Sequence, residues 1–326
     1  MRDRSVAVMT GGAADHLDAR PETISSADRH GIPLVSVVMT TYKDDVDVLW
    51  RAIDSILTQT MGDLECIVVF EPGDTNAELI ADRCVDPRLR VVRSATRLGM
   101  AGSFNRGLES AQGRYIARMD SDDIAYPFRL ARQLRFLDDH PDVAMVGGAA
   151  RLIDRDGNVV GIRRFPITLD QIVRTAVFTN PFLHPTVVWD RTRVREELRY
   201  DPRYTAEDLE LWLRLIRGGY RVANMPDLLI DYTQPPGYAR SPAHWRGLVR
   251  VRAAHWRLGL TQPLAFATIV AFGCLSLLPQ RFIAAVTGRN RLSDRFRSIQ
   301  PPQFDPAGPE SRRDLESHGD DHSNNG

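Results

Sequence analysis

Tyr115-Ile116-Ala117-Arg118-Met119-Asp120-Ser121-Asp122-Asp123 carries an apolar strand pattern that ends in three acids within four positions. Carboxylates crowded together repel one another and resist desolvation unless something cationic offsets them. Hard divalent ions such as Mg2+ take oxygen ligands of this kind, with phosphate oxygens completing the shell. A D-x-D at the exit of a buried strand therefore points to a metal-assisted diphosphate site. An isolated D-x-D would read as a solvated acidic turn; here the flanking sequence decides.

Upstream, Leu34-Val35-Ser36-Val37-Val38-Met39-Thr40-Thr41-Tyr42 is an apolar run closing in small polar residues. A helical pattern from about Val46 to Gln59 puts Leu49, Ile53, Ile56 and Leu57 on one face. A strand follows at Cys66–Phe70, a helix around Ala77–Cys84 and a short strand at Leu89–Val92. The Leu98-Gly99-Met100-Ala101 turn opens another helix, which Gly113 is expected to close in the left-handed conformation. Strands and helices alternating at this spacing predict a parallel α/β sheet with its ligand crevice at the carboxyl ends of the strands. Thr40–Tyr42, Phe70–Asp74 and Asp120–Asp123 all fall at such ends.

These segments resemble family 2 glycosyltransferases of the GT-A fold, the inverting group that uses nucleotide-activated sugars. The resemblance rests on Val35–Tyr42, on Arg97–Ala101 with Asn105 and Gly107, and on Gly113–Asp123. Asn180-Pro181-Phe182-Leu183-His184-Pro185 and Ala206-Glu207-Asp208-Leu209-Glu210-Leu211-Trp212 continue it in the same order, so that it covers roughly Pro33 to Thr233. Each motif alone is weak; five in the family's order are not a coincidence.

The resemblance implies a Rossmann-like, mostly parallel sheet flanked by helices, with a C-terminal helical region. It implies that Thr40 and Tyr42 lie beside the nucleotide base, Asp120 near the ribose, and Asp122 on a Mg2+ or Mn2+ ion. Asp208 resembles the catalytic base, and Glu207 and His184 fall on the acceptor side. One departure stands out. Where relatives carry Asp-Asp-Gly-Ser after the second strand, this chain has Phe70-Glu71-Pro72-Gly73. Glu71 keeps the base-reading carboxylate one methylene further out, which leaves the choice of base open.

The chemistry explains the residue types. The leaving diphosphate of a sugar donor gains negative charge, which a divalent ion neutralises as a Lewis acid. The acceptor hydroxyl must lose a proton to a positioned base. Ala206–Arg217 reads as an amphipathic helix with Leu209, Leu213 and Ile216 inward, placing Asp208 in its first turn. A first-turn acid also suits the helix dipole, so capping alone competes with catalysis there.

Other residues divide between site and scaffold. His184 serves either the acceptor or the core. Arg97 and Arg106 suit phosphates but equally suit solvent, because arginine is common here and Lys43 is the only lysine. Trp189 and Trp212 read as core. Asp156-Gly157, between Ala149–Asp154 and Asn158–Arg163, signals a hairpin on the acceptor side.

The chain has 326 residues, 43% of them apolar, enough for one large globular domain with appendages. Zero formal net charge excludes a nucleic-acid binder that relies on phosphate contacts. Cys66, Cys84 and Cys274 have no zinc or redox spacing, which fits a reducing cytoplasm. Residues 1–31 lack the apolar core of a signal peptide and read as a disordered arm, as do residues 298–326. The catalytic domain is expected over residues 32–240.

Residues 241–297 form a distinct region. Nine arginines and one acid, Asp294, lie between Ala243 and Arg297. Arg246, Arg250, Arg252 and Arg257 alternate with apolar residues, ahead of the uncharged run Leu264–Leu278. Fifteen residues fall short of the ~20 that span a bilayer. Interfacial attachment to an anionic membrane is one expectation; a helical hairpin buried against the catalytic domain is the other.

The sequence thus predicts one sugar transfer from a nucleotide-sugar, a UDP-sugar first, to a glycan or lipid-linked acceptor in cell-envelope or exopolysaccharide synthesis. The expected place is the cytoplasm, peripheral at the inner face of the cell membrane. A sugar-nucleotide pyrophosphorylase would need a Gly-rich basic loop after the first strand, which Val38–Asp45 lacks. A degenerate glycan-binding or scaffold protein fits Phe70-Glu71-Pro72 but not the retention of Asp120, Asp122 and Asp208.

Overall fold

The computed structural model describes residues 31–194, 197–234, 242–255 and 262–277. The expected arms, apart from Gly31, and the stretch beyond Leu277 lie outside the described residues.

Strands β1 (Val35–Thr41), β2 (Leu64–Phe70), β3 (Leu89–Arg93) and β4 (Tyr115–Asp120) are mutually parallel in the order β3-β2-β1-β4. Their side chains alternate between faces, as a period of two requires. Val35, Val37 and Met39 join Cys66, Val68, Tyr115 and Ala117 in one core cluster. Val38, Ile67, Val69 and Ile116 enter another on the opposite face. Both faces are covered, which is why these strands are near-continuous apolar runs.

Helix α1 (Val46–Leu57) covers the first face. Asp45 caps it, its side chain accepting from Asp47 N at 2.9 Å and Val48 N at 3.1 Å. Helix α2 (Asn76–Arg83) joins α1 there through Ala77 and Ile80. Helix α3 (Gly99–Ser110) lies on the second face, where Gly107 permits close approach: a Cβ would sit 2.4 Å from Val38 Cγ1. The expected left-handed closure at Gly113 does not occur. Helix α3 ends at Ser110, and the positive φ of +66° belongs to Gly99 at its start. Gly113 is required for space instead, because a Cβ there would meet the Ser36 backbone nitrogen at 2.6 Å.

Beyond β4 the sheet is mixed. After the short β5 (Ile124–Ala125) and helix α4 (Arg129–Asp139) come β6 (Val143–Ile153) and β7 (Val159–Arg163). The hairpin between β6 and β7 turns at Gly157, φ +84°, as predicted. Helix α5 (Leu169–Phe178) is capped by Thr168 and Gln171 acting reciprocally. Strand β8 (Val188–Asp190) inserts antiparallel between β4 and β6. It is followed by α6 (Arg191–Val194), α7 (Glu207–Arg217) and β9 (Arg221–Thr233), the last parallel to β6 and antiparallel to β5. The expected parallel arrangement therefore holds for the first four strands, and the second half of the sheet mixes directions.

Helices α8 (Pro242–Ala254) and α9 (Gln262–Ser276) pack on this body. Trp245, Leu248 and Val251 of α8 meet Ala206, Leu209 and Leu213 at α7 and Ala176 of α5, with Phe272 of α9 against the same cluster. Trp189 and Trp212 are core, stacked at 5.8 Å between ring centroids.

Candidate active site

The carboxyl ends of β1, β2 and β4 form one rim, with Thr40 in direct register with Asp120. Two carboxylates outside the sequence motifs tie that rim together. Asp44 Oδ2 accepts from the hydroxyls of Thr41 at 2.8 Å and Ser121 at 2.6 Å, linking the loop after β1 to the middle of the D-x-D. Asp74 Oδ2 accepts from Lys43 N at 2.8 Å, where Lys43 holds a left-handed φ of 59°. Asn76 Nδ2 closes the set on the Asp44 carbonyl at 2.7 Å. The left-handed lysine turn is a backbone cost, and the Asp74 hydrogen bond helps hold it.

The three acids come together as predicted. One carboxylate oxygen from each of Asp120, Asp122 and Asp123 lies within 4.8 Å of the others. Asp122 is exposed on the rim, yet partial desolvation and the charges of Asp120 and Asp44 push its carboxyl up to about 6. Asp123 is fully buried and raised well above the carboxylate range by desolvation and its two acidic neighbours. Its Oδ1 accepts from Thr233 N at 2.9 Å, while Oδ2 is buried without a hydrogen-bond partner. Hard oxygen donors at this spacing, one of them orphaned, fit a divalent cation. Asp123 is visible in the acidic run, but only its orphaned oxygen makes it a candidate for holding a cation.

Beneath the acids lies Arg118, on the opposite face of β4 from Met119. The residue is 4% exposed, and its guanidinium pairs with Asp120 and sits 4.8 Å from the Phe104 ring centroid. Nε and one terminal nitrogen have no hydrogen-bond partner. Despite the desolvation that disfavours its charge, the surrounding acids hold it cationic, its pKa raised. The strand therefore carries its own counter-charge to the D-x-D. Arg129 braces this region from below: its guanidinium reaches the Arg118 carbonyl at 2.7 Å and Met119 Sδ at 3.1 Å. Complete burial lowers its pKa to about 9.

Asp208 occupies the first turn of α7, as predicted. Its Oδ1 accepts from Leu209 N at 2.7 Å, and its Oδ2 accepts from the Asn180 side-chain amide. Asn180 in turn accepts from Phe182 N at 3.2 Å, so the loop after α5 fixes the amide that fixes the acid. Glu207, beside Asp208, is buried and pushed up to about 7, first by desolvation and then by the Asp208 charge.

His184 lies in a short 3-10 turn, His184–Thr186, and is buried rather than open to the rim. Its Nε2 is 2.6 Å from the Tyr200 hydroxyl, and its ring packs among Phe104, Tyr200 and Trp212. Desolvation and the neighbouring Arg118 lower its pKa well below the histidine range, so it is neutral. Asn105 pins Tyr200 from α3, donating to its carbonyl and accepting from its N–H, both at 2.8 Å.

The residues expected beside the nucleoside base divide between core and surface. Glu71 is buried and accepts from Leu98 N at 3.0 Å and from the Ser103 hydroxyl, so it caps the start of α3. Tyr42 is exposed, with the Arg97 guanidinium 4.6 Å from its ring centroid. Among the described residues Arg106 pairs with Glu109, at 3.5 Å on the surface.

A nucleotide-type parallel sheet, acids at its carboxyl rim and a further acid on the facing helix together define a GT-A glycosyltransferase. Comparison with known proteins agrees. The model of the family "Glycosyl transferase family 2" matches residues 36–196. The amylovoran biosynthesis glycosyltransferase AmsE of Erwinia amylovora is 32% identical over 200 residues, 60% of this chain and 75% of that protein. WfaP of Escherichia coli, a UDP-Glc:α-D-GlcNAc-diphosphoundecaprenol β-1,3-glucosyltransferase, is 26% identical over 59% of this chain and 73% of its own length. In structure, the mannosyltransferase PcManGT from Pyrobaculum calidifontis, solved with GDP-Man and Mn2+, aligns with a TM-score of 0.53. It covers 81% of this chain and 82% of that one at 19% identity, a likeness of fold. The chain belongs to glycosyltransferase family 2.

Proposed function

We propose that this glycosyltransferase is metal-dependent and inverting, moving one sugar from a nucleoside-diphosphate donor to a glycan or lipid-linked acceptor in cell-envelope or exopolysaccharide synthesis. The observation that carries the reading is the acidic triad Asp120, Asp122 and Asp123 on the same body as a separately held Asp208. A direct displacement needs stabilisation of the leaving diphosphate and a base for the acceptor proton, which a cation held by the triad and Asp208 would supply.

Asp122 and Asp123 would hold a Mg2+ or Mn2+ ion, which when bound supplies Lewis-acid neutralisation of the diphosphate. Asp120 would meet the ribose, with Thr40, Tyr42 and Glu71 around the base. The acceptor oxygen forms its bond to the anomeric carbon as the bond to the diphosphate oxygen breaks. The electron pair leaves with the nucleoside diphosphate, and the acceptor proton passes to Asp208. One displacement from the opposite face inverts the anomeric centre. Asn180 would keep Asp208 in the receiving orientation, and Glu207 would line the acceptor side.

A UDP-sugar is the first donor to test, in keeping with the donor printed in the name of WfaP. The test is thermal stabilisation by UDP-, GDP- and dTDP-sugars with and without Mn2+. A metal-dependent shift with one nucleotide series supports the reading; no shift in any series overturns it.

A further inference from the structure

Helix α9 presents a face that water does not suit. Residues 262–277 contain no charged side chain at all. Thr268 is buried and Phe272 turns inward, its ring 5.0 Å from that of Trp245. The other side of the same helix exposes Phe266, Ala267, Val270, Ala271 and Cys274, with Leu277 just beyond. These positions recur at helical spacing and form one stripe. Phe266 is 62%, Val270 50% and Leu277 83% exposed. A surface helix that is apolar on both sides has a partner on its outer side.

The neighbouring charge identifies that partner. Helix α8 contains no acid, and Arg246 and Arg250 on its outer side are exposed. Arg252 is not part of this display. It is buried, donates to the Val177 carbonyl at 2.8 Å and the Ala176 carbonyl at 3.2 Å, and so rivets α8 to the last turn of α5. Arg246 and Arg250 are thus left exposed on the helix that packs against α9, Arg250 with its guanidinium 5.9 Å from the Tyr204 ring centroid. Exposed cations next to an uncharged helix are complementary to anionic headgroups over acyl chains. At 15 residues, α9 is about 22 Å long, shorter than the hydrocarbon core it would have to cross. Among the described residues no helix is long and apolar enough to span a membrane.

We infer that the outer face of α9, with Arg246 and Arg250 exposed on the neighbouring α8, is a docking surface for an anionic lipid bilayer, on which the two helices lie in the plane of the interface. Its position links it to the chemistry. Helix α8 presses so closely on the start of α7 that a Cβ at Gly247 would meet Thr205 Oγ1 at 2.1 Å. Only this layer separates the docking face from the helix that carries Asp208. Delivery of a lipid-linked acceptor to Asp208 rests on the transferase reading above; docking itself does not.

Vesicle flotation of the full chain, with phosphatidylglycerol or with phosphatidylcholine alone, tests the surface. A polarity-sensitive dye on Cys274, in a Cys84→Ser background, reports its burial. The full chain is expected to float with anionic vesicles and the dye to shift to the blue. Phe266→Glu with Val270→Glu should abolish both while calorimetry with UDP and Mn2+ stays unchanged, which separates docking from donor chemistry. Arg246→Gln with Arg250→Gln, which leaves the apolar face intact, should weaken partitioning roughly thirtyfold, two near-surface charges' worth. The inference is overturned if the full chain stays in the aqueous fraction with anionic vesicles, or if neither pair of substitutions reduces flotation. It is also overturned if the apolar pair instead converts a dimer to a monomer, since the occupant is then a second copy. A dye already shielded without vesicles overturns it too, because the chain then covers its own stripe.

Discussion

The side-chain amide of Asn180 donates to Oδ2 of Asp208, joining the loop after α5 to the first turn of α7. Asp208→Asn should keep donor affinity while transfer falls by ~10²-fold or more, the scale of a lost general base. Asn180→Ala should be milder and more informative. A hydrogen bond to a charged group contributes ~1.5 kcal/mol, so its loss raises the carboxyl pKa by about one unit. The acid limb of the kcat profile should move upward by that amount. An unmoved limb with normal donor binding would leave Asn180 as a loop residue only.

Arg118 makes a different prediction, because its charge is built into the strand rather than acquired. Replacing it with methionine removes the cation paired with Asp120 and leaves Arg129 as the neighbouring charge on the acids, at a cost to the metal-free protein of up to about 3–5 kcal/mol. Mn2+ should recover part of that loss by supplying the missing charge. The rise in Tm on adding Mn2+ should therefore be larger in Arg118→Met than in the parent chain. Equal rises in scanning calorimetry would mean that Arg118 does not balance the acids.

Sequence and structure agree where a signal is local. Three strand ends could be recognised because each is an apolar run closing in small or acidic residues, and the register of Thr40 with Asp120 makes that convergence real. The first-turn position of Asp208 was legible because an amphipathic period brackets it, while its role as a base came only from the family resemblance. Strand β8 was not, since its three residues, Val188–Asp190, are too few for any period and take their direction from β4 and β6. The roles of Asp44 and Asp74 were equally hidden, because the bonds that tie the rim run from these loop acids to Ser121 and Lys43, 77 and 31 residues away. His184 was undecided between acceptor and core because burial is a property of the packed aromatic cluster, not of the motif around it. Glu71 shows the same limit: its carboxylate was visible, but its hold on Leu98 and Ser103 depends on how α3 docks.

Asp122→Asn tests the metal end of the site. An amide is a neutral and poorer ligand for a hard cation than a carboxylate. Titration of the nucleotide in the presence of Mn2+ should show a strong loss of metal-dependent affinity, and the residual binding without metal should match that of the parent chain. Unchanged metal-dependent affinity would remove Asp122 from the ion.

Glu207 gives the pH prediction. Its carboxyl is pushed to about 7 in the folded chain by burial and the Asp208 charge, against an ordinary value of 4.5. The folded state therefore favours the protonated form. That contribution is fully present below pH 4.5 and is lost as pH rises through 7, where ionising Glu207 costs the fold. Glu207→Gln keeps the shape and removes the titration, so it should stabilise the metal-free protein at pH 8 relative to the parent. At pH 4.5 the two should melt alike. The difference should open across that window, growing by about 1.4 kcal/mol per pH unit. Melting of both proteins by differential scanning calorimetry at several pH values, without metal, measures it. A constant offset across the window would mean that Glu207 does not change charge there, and that the acid is held ionised by its surroundings.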